Sequence, residues 1–416
     1  MRLYSAMLAM AKLKIIIISL FMMAACDFFD IKKQTDLAGS AGTIMGRVNV
    51  ESIQAGSVVI VQFKNNHGVL VKLNEVVASL DGGYRFTVLP GEYAFFAFID
   101  VNNDGEFQRD KEHGNYYSNP KLFMVEANQN ITLEPLVIKG HPPIPSTEIK
   151  IESKAVKISD NIGKVIDLSD ARFSRDNYSM GMWRPIDFLE KVGGGLMMLQ
   201  DYDKNKTPVI FVHGINGGPT DFKQAIDNLD RKHFQPWVLY YPSGFSLNVI
   251  SDYFLQAVQQ QQKHHNFRKF IVIAHSMGGL VTRSFVKKYT QRITAKENDI
   301  QLVMTVNSPI GGMTSATTGV KYSPIVVPSW RDISPESKFF KDLFNWNWPS
   351  TIPYHLVFSY YDGSGSDGVV ALDSQIPAKI QSETTGIYGF NDDHVGTLNN
   401  ERFISLYKSI LEKQIN

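Results

Sequence analysis

The sequence predicts an α/β protein with two folded parts, a small β-sandwich and a doubly wound α/β domain after it. Short alternating apolar and polar runs over residues 43–140, separated by glycine and proline turns, are typical of a sandwich. Beyond Asp201, unbroken apolar runs alternate with helical periodicity, as in a parallel sheet covered on both faces. Between them, the proline-rich stretch 141–145 predicts a stiff linker, so we place the boundary there.

The composition fits a folded protein without a nucleic-acid partner. Hydrophobic residues make up 44% of the 416 residues and charged residues 20%, so the chain can bury a sizeable core. Lys and Arg number 42 against 41 Asp and Glu, and no basic run is interleaved with aromatic residues. We therefore expect no nucleic acid as partner. The only cysteine is Cys26, which excludes a disulfide framework and a cysteine metal cluster.

The amino terminus has the features of a secretory signal. Arg2, Lys12 and Lys14 precede the apolar run 15–23, and two alanines follow directly before Cys26. The run is too short for a comfortable transmembrane span. The pattern predicts a cleavage site in front of the cysteine.

The run MAAC that ends at Cys26 resembles the lipobox of bacterial lipoproteins, in which the cysteine is acylated and becomes the new amino terminus. The resemblance implies that residues 1–25 are removed and that the lipid on Cys26 anchors an extracytoplasmic protein to a membrane. Residues 26–42 would then be a tether. The alternative is an ordinary signal peptide beside an incidental cysteine.

Residues 43–140 are predicted to form the sandwich, with runs such as 57–63 as its strands. The stretch GYRF at 83–86, followed by LPGEY at 89–93, resembles the carboxypeptidase-regulatory, transthyretin-like family of sandwich modules. We interpret this part as accessory, not catalytic, with a protein or a glycan as its partner.

One loop of this part has the spacing of a calcium ligand set. Oxygen-bearing side chains occupy positions one, three and five of the pattern: Asp100, Asn102 and Asp104. Position twelve is Lys111, which excludes an EF-hand, although Asp110 or Glu112 could close a site between two strands. The alternative is a tight turn that needs no ion. A structural calcium is therefore one of two interpretations.

After the linker, taken as residues 141–164, residues 165–416 are predicted to form the α/β domain. The predicted strands are 209–212, 237–241, 270–274, 302–306 and 355–359. The predicted helices are 219–232, 249–262, 280–289 and 399–413.

A strand, a tight turn and a helix meet at the run AHSMGG, residues 274–279. This is the context of a nucleophile elbow, in which small residues at 274, 278 and 279 let the chain turn sharply and expose Ser276 at the carboxyl edge of the sheet. Ala274 stands where the commoner pattern has glycine. Because a serine hydroxyl is a poor nucleophile at its ordinary pKa, it needs a hydrogen-bonded base and an acid behind it.

Five segments occur in the order seen in lipase-like α/β-hydrolases, including the GPI inositol deacylase-like branch. They are FVHG at 211–214, AHSMGG at 274–279, TVNSPIGG at 305–312, DGVV at 367–370 and DH at 393–394. The resemblance covers about residues 165–416. It implies the α/β-hydrolase fold and ester hydrolysis by a Ser-His-Asp triad, with no cofactor required.

The candidate base is His394, because it follows the last strand and precedes the last helix. The acid must lie between Ser276 and His394 in the chain, and Asp367 fits best because its DGVV run resembles the acid loop of the family. Asp362 and Asp373 are the alternatives.

Two backbone N–H groups are the candidates for an oxyanion hole. That of Met277 follows the nucleophile at a helix start, and that of Ile215 lies in a glycine-rich loop after an early strand. His213 is expected to shape this loop through its backbone, and His275 to pack beside the elbow.

A long excursion, residues 309–354, is rich in Trp and Phe and is predicted to be a lid or acyl-binding cap. The loop 241–247 is a second candidate to line the pocket. Together these features predict a membrane-anchored, extracytoplasmic lipase or esterase that acts on lipid or acyl esters. The alternatives are an acyltransferase with the same triad and a surface binding lipoprotein whose hydrolase part is a relic.

Overall fold

The computed structural model describes most of the chain, including every strand and helix considered below. The described residues are 27–79, 81–102, 106–117, 121–142, 161–291, 299–361, 363 and 365–415. The predicted signal peptide and Cys26 lie outside them, as do most of the predicted linker and Asp362. The signal peptide and the lipidation of Cys26 therefore stay predictions.

The described strands between residues 42 and 138, called the β unit here, form two sheets. They are β1 Gly42–Val50, β2 Ser57–Asn66, β3 Val69–Val77, β4 Gly83–Val88, β5 Gly91–Asp100, β6 Gly114–Tyr116, β7 Phe123–Val125, β8 Asn130–Thr132 and β9 Leu136–Ile138. One sheet has the order β4-β1-β8, with β9 also paired to β1. The other has the order β3-β2-β5-β6, with β7 also paired to β5.

Alternation along the strands builds the core between these sheets. Tyr84, Phe86 and Val88 of β4 are buried while their neighbours are partly exposed, because successive side chains point to opposite faces. Phe86 packs against Phe95 of β5, with ring centroids 5.4 Å apart. Both rings are fully buried, and each contributes about 1.5–3 kcal/mol relative to an exposed position.

The carboxyl-terminal part is built on one sheet of seven strands in the described residues. They are β10 Gly195–Met198, β11 Thr207–Val212, β12 Phe234–Tyr240, β13 Phe270–His275, β14 Ile300–Val306, β15 Tyr354–Tyr360 and β16 Gly386–Asn391. Their order is β10-β12-β11-β13-β14-β15-β16. Neighbours are parallel except β10, which is antiparallel to β12, so the carboxyl ends of the other strands share one edge.

Helices cover both faces of this sheet. They are α1 27–39, α2 Arg175–Trp183, α3 Pro185–Lys191, α4 Lys223–Asp227, α5 Leu247–His265, α6 Met277–Thr290, α7 Thr314–Tyr322, α8 Pro328–Ile333, α9 Lys338–Asn345, α10 Leu372–Gln375, α11 Ala378–Gln381 and α12 Glu401–Glu412. Helices α5 and α6 pack into one core, and α4 and α12 into a second core on the opposite face. Among the described helices, none has the length and apolar character that crossing a bilayer requires.

The predicted elements of the sheet are present, with two differences. The predicted helix 219–232 is a 3-10 turn, Pro219–Phe222, followed by α4, which ends at Asp227; beyond it, the side chain of Asp230 accepts from the N–H of Lys232 and holds a turn. The edge strands β10 and β16 were not predicted. β10 is four buried residues, too few to show a period, and β16 contains two glycines.

The segment expected to be a tether, residues 26–42, is instead a docked helix over most of its length. Within α1, the Gln34 side-chain oxygen accepts from the N–H groups of Ile186 and Asp187, both at 3.1 Å. Asp30 pairs with Arg184 at 2.7 Å. These contacts satisfy backbone donors at the start of α3, which an unstructured tether would leave unpaired.

The β unit contacts the α/β part through helix α5. The Gln256 side-chain amide donates to the carbonyl of Arg85 at 2.9 Å, and the Arg85 guanidinium lies 3.5 Å from the Asp252 carboxylate. The ammonium of Lys263 lies 3.5 Å from Asp100 at the end of β5. The β unit therefore rests on the same helix that covers one face of the large sheet.

Candidate active site

The turn after β13 places Ser276 at the carboxyl edge of the sheet. Ser276 has φ 54° and ψ −132°, a conformation that costs a non-glycine residue of order 1–3 kcal/mol. A Cβ on Gly278 would lie 2.4 Å from the carbonyl oxygen of Val212, and one on Gly279 would lie 2.3 Å from the Ser308 hydroxyl. The small residues are therefore required for α6 to start against the neighbouring strands.

The structure brings the three predicted catalytic residues into one chain of contacts. The Ser276 Oγ lies 2.9 Å from His394 Nε2, and His394 Nδ1 lies 2.7 Å from Asp367 Oδ2. All three side chains are buried. Because a carboxylate can only accept here, Nδ1 carries the proton and Nε2 is left to accept from the serine hydroxyl.

The loop around Asp367 orients its carboxylate. Its other oxygen, Oδ1, accepts from the N–H groups of Val369 at 2.9 Å and Val370 at 2.7 Å. Of the alternative acids, Asp373 is exposed on α10 and Asp362 lies outside the described residues. The geometry thus supports Asp367 as the partner of His394.

Two residues hold the backbone of His394, a role that the sequence reasoning missed. His275 Nε2 donates to the His394 carbonyl at 2.8 Å, and Asn307 Nδ2 donates to the same oxygen at 3.0 Å. Asn307 is fully buried and also donates to Thr397 Oγ1 at 3.0 Å. We expected His275 only to pack. Its place beside the nucleophile was visible in the sequence, but its partner lies 119 residues away.

Burial keeps His275 neutral. Desolvation, and after it the neighbouring His394, lower the pKa of His275 to about 3. At neutral pH its Nε2–H can therefore donate without adding a charge beside the base.

The two N–H groups predicted for the oxyanion hole belong to residues that line one pocket with Ser276. Met277 is the first residue of α6, so its N–H has no acceptor within the helix. Ile215 lies in the turn after β11, where a Cβ on Gly214 would be 2.7 Å from the Ser276 Cβ. Only glycine allows this approach, which brings the turn beside the nucleophile.

His213 supports the turn after β11, which carries Ile215, through its ring as well as its backbone. Its Nδ1 donates to the Gly214 carbonyl at 2.8 Å, and its Nε2 accepts from the N–H of Tyr241 at 3.3 Å. The Tyr241 ring stacks on the imidazole with centroids 4.0 Å apart, and its hydroxyl donates to the His213 carbonyl. Burial lowers the pKa of His213 to about 4, so this imidazole is also neutral.

A pocket of about 410 Å³ lies above Ser276. Apolar side chains form much of its lining: Met313, Ala316, Trp330, Ile333, Val369 and Val395. Helices α7 and α8 of the predicted cap supply three of them, Ala316, Trp330 and Ile333. The polar lining residues include Arg175 and Asp221, which pair at 3.3 Å.

The second loop expected to line this pocket, residues 241–247, does not line it. Its Ser243 Oγ accepts from the N–H of Asn216 at 3.0 Å, so the loop lies behind the turn after β11. Tyr241 and Phe245 face a different cavity, described below. The sequence placed the loop at the correct sheet edge but could not show which side of the turn it covers.

The loop predicted to bind calcium is only partly described, because Asp104 lies outside the described residues. Asp100 is buried, and its carboxylate lies 3.5 Å from the Lys263 ammonium. Glu112 is also buried and accepts from the N–H groups of Val101 and Gln108 at 3.0 and 2.9 Å. The described residues contain no group of three or more metal-ligating side chains placed to hold an ion. Calcium stays a prediction.

Comparisons with known proteins find one family model and a number of solved structures that are similar to this chain. The family model described as alpha/beta hydrolase fold matches residues 207–295. A mature Bacillus licheniformis lipase is 16% identical, with 51% of this chain and 94% of that chain covered and a TM-score of 0.41. A Legionella pneumophila phospholipase is 18% identical, with 41% of this chain and 45% of that chain covered and a TM-score of 0.35.

A carboxyl esterase from a metagenome is 13% identical, with 47% of this chain and 66% of that chain covered and a TM-score of 0.36. No curated protein sequence matches the chain. The family model spans β11, β13 and the turn that carries Ser276, and it ends before Asp367 and His394. With its sheet order and strand-turn-helix elbow, the chain has the alpha/beta hydrolase fold.

Proposed function

We propose that this chain is a serine hydrolase that cleaves carboxylic esters through an acyl-enzyme. Ser276 is the nucleophile, His394 the general base and Asp367 the acid that orients it. The observation that carries the proposal is the contact chain of 2.9 Å from Ser276 to His394 and 2.7 Å from His394 to Asp367, at the base of a pocket.

The first half of the reaction forms the acyl-enzyme. The Ser276 Oγ attacks the ester carbonyl carbon while His394 Nε2 takes the hydroxyl proton. The carbonyl oxygen becomes negative and accepts from the N–H groups of Ile215 and Met277. When the tetrahedral intermediate collapses, the bond to the alcohol oxygen breaks and the imidazolium gives its proton to that oxygen.

The second half repeats these steps with water. His394 takes a proton from a water molecule while the water oxygen attacks the acyl carbon. When this second tetrahedral intermediate collapses, the bond to Ser276 Oγ breaks, His394 returns the proton to that oxygen, and the carboxylic acid is released. Asp367 keeps the Nδ1 proton in place and stabilises the imidazolium in both halves. No step needs a metal or an organic cofactor.

The pocket favours an apolar acyl group. Its apolar lining includes Met313, Trp330 and Ile333, and a buried methylene contributes about 0.8 kcal/mol to binding. We therefore propose lipid or other long-chain acyl esters as substrates. The five motif segments of the sequence support a place among the lipase-like hydrolases, including the GPI inositol deacylase-like branch.

We further propose that the protein is a bacterial lipoprotein, anchored through Cys26 outside the cytoplasm. The lipobox-like run supports this, and the docked helix α1 would hold the anchor close to the α/β part. The β unit is proposed to be accessory, with a protein or glycan as partner.

A fluorophosphonate probe tests the mechanism. We expect covalent labelling at Ser276, identified by peptide mass spectrometry, and no labelling of Ser276→Ala. A matched control is Ser308→Ala, because Ser308 is a buried serine of the neighbouring strand end and should leave labelling intact. Labelling at another serine, or none in the folded wild type, would reject the proposal. Product analysis with and without an added alcohol separates hydrolysis from acyl transfer.

A further inference from the structure

A second cavity, of about 210 Å³, lies between the β unit and the α/β part. Apolar residues form both walls: Val88, Leu89 and Tyr93 from the β unit, and Phe245, Val249 and Ile250 from the α/β part. Among the described residues, it shares no lining residue with the pocket above Ser276. It is therefore a separate site, unexplained by the proposed reaction.

Two polar side chains of β2 line this apolar cavity. Side chains alternate along a strand, so Gln62 and Lys64 share one face of β2 with Ile60, which is in the core of the β unit. Gln62 is only 2% exposed. In the described part of the chain, neither the Gln62 amide nor the Lys64 ammonium has a hydrogen-bonding or ion-pairing partner.

An amide that lines an apolar cavity without a protein partner can donate to a ligand there, and a cation beside such a cavity favours an anion. The face of β2 therefore changes from apolar at Ile60 to neutral polar at Gln62 and then to cationic at Lys64. This order matches a ligand with an apolar body and an anionic head. Glu190 also lines the cavity, but it is exposed, so water screens its charge.

We propose that this cavity binds one single-chain fatty carboxylate. The chain lies between the two apolar walls, and the carboxylate accepts from the Lys64 ammonium and the Gln62 amide. The volume of about 210 Å³ suits a single chain and is small for a two-chain lipid, since pockets for drug-sized ligands are about 300–1,000 Å³. Such an acid is also what the proposed hydrolysis would release, but the binding does not depend on that activity.

The cavity wall also contains a residue that supports the turn after β11, which carries the N–H of Ile215. Tyr241 lines the cavity and stacks on His213. A ligand here would contact Tyr241, which lies behind the proposed active site. Binding must therefore be measured directly, because a change in turnover could come from either site.

The test uses the full chain and decanoate as the probe, with isothermal titration calorimetry. In Ala316→Trp, in which the pocket above Ser276 is filled, we expect one decanoate per chain. Val249→Trp, which fills the cavity, should abolish binding, and Lys64→Met should weaken it at least about fivefold while leaving decanol binding unchanged. Lys139→Met is the matched control, because Lys139 is an exposed lysine of the β unit that pairs with Glu51; its affinity for decanoate should equal that of the wild type.

A further variant separates the two sites without using catalysis. Ala316→Trp fills the pocket above Ser276, and we expect it to leave the decanoate affinity unchanged. Loss of binding in Ala316→Trp, with Lys64→Met unaffected, would place the acid in the active-site pocket and overturn the proposal. If Val249→Trp does not fold, as judged by its melting curve, Lys64→Met decides alone: an affinity within twofold of wild type overturns the proposal.

Discussion

The Ser276 edge of the sheet and the loop that begins at Asp100 both carry a polar motif, and the fold treats the two motifs differently. Ser276, Asp367 and His394 come from distant parts of the chain and meet because their strands end at one sheet edge. In the loop, Asp100 and Glu112 are only 12 positions apart in the sequence, and both are buried beside protein donors.

This difference concerns what the polar atoms have as partners. At the sheet edge, the Ser276 hydroxyl faces a pocket. Its partner His394 donates to the carboxylate of Asp367. In the loop, Glu112 already accepts two backbone N–H groups, and Lys263 supplies a positive charge near Asp100. A carboxylate that the fold has already satisfied retains less capacity for an ion. The comparison teaches that the protein partners of a polar group, and not its spacing in the sequence alone, set how much of its bonding capacity is left for a ligand.

The largest expected effect is that of the nucleophile. Ser276→Ala should lower kcat by at least about 10³-fold, because the attack has no substitute. The melting temperature should stay near that of the wild type, since the hydroxyl contributes little packing. Steady-state kinetics with a nitrophenyl ester measure the loss. Turnover close to wild type would show that the sheet edge is not the reactive region.

The acid should rank second. Asp367→Asn should lower kcat by about 10²-fold or more, through loss of the correct His394 tautomer. The matched control is Asp373→Asn, an exposed aspartate of the alternative set, which should stay within about twofold of wild type. The opposite ranking in kcat would move the acid to Asp373.

The dependence of activity on acyl-chain length tests the pocket above Ser276, to which the described residues of the loop that begins at Asp100 do not contribute. Across nitrophenyl esters of two to eight carbons, kcat/KM should rise with each methylene, by about 0.8 kcal/mol at most, until the pocket is filled. A profile that is flat or falls beyond four carbons would remove the lipase interpretation while leaving the serine hydrolase proposal in place.

The support of His394 by His275 should give a smaller loss. His275→Ala should lower kcat by about tenfold with little change in KM, because the His394 backbone loses one of its two side-chain donors. His275→Gln keeps a donor at a similar position and should recover much of the activity. Equal losses in both variants, or a change only in KM, would argue that His275 merely packs.

The buried His275 should also make the free energy of unfolding depend on pH. The pKa of His275 is about 3 in the folded protein and about 6.5 when unfolded, so the unfolded chain binds more protons between these values. Stability is therefore full above pH 6.5 and falls as the pH drops, by about 2 kcal/mol at pH 5 from this group. His275→Gln should flatten that part of the unfolding profile, measured with urea. An unchanged slope would contradict the assigned burial.

Calcium at the Asp100 loop should give the smallest effect. If the ion binds, calcium at about ten times its Kd stabilises the folded state by about 1.4 kcal/mol through linkage. This raises the melting temperature by a few degrees. Asp100→Asn should abolish this increase and leave ester hydrolysis unchanged. No increase in the wild type at millimolar calcium would favour the plain turn.

The amino-acid sequence by itself determined the features that depend on local conformation. The α/β class follows from hydrophobic runs and periodicity, and the elbow follows from a strand, small residues and a helix within ten residues. The order of motifs around Ser276 and His394 was enough to name both residues. The cause is local: a sharp turn permits only small side chains, wherever the rest of the chain lies.

Tertiary structure decided the features that depend on which surfaces meet. The preference for Asp367 over Asp373 rests on a loop conformation, and the role of His275 rests on a carbonyl 119 residues away. The sequence of helix α1 is polar and predicts a tether. Its contact with Asp187, a residue distant in the chain, shows that the helix is docked. The cavity beside Gln62 exists only where two folded parts meet. The hydrophobic pattern of one segment predicts that one of its faces is buried, but it does not predict which other segment packs against that face.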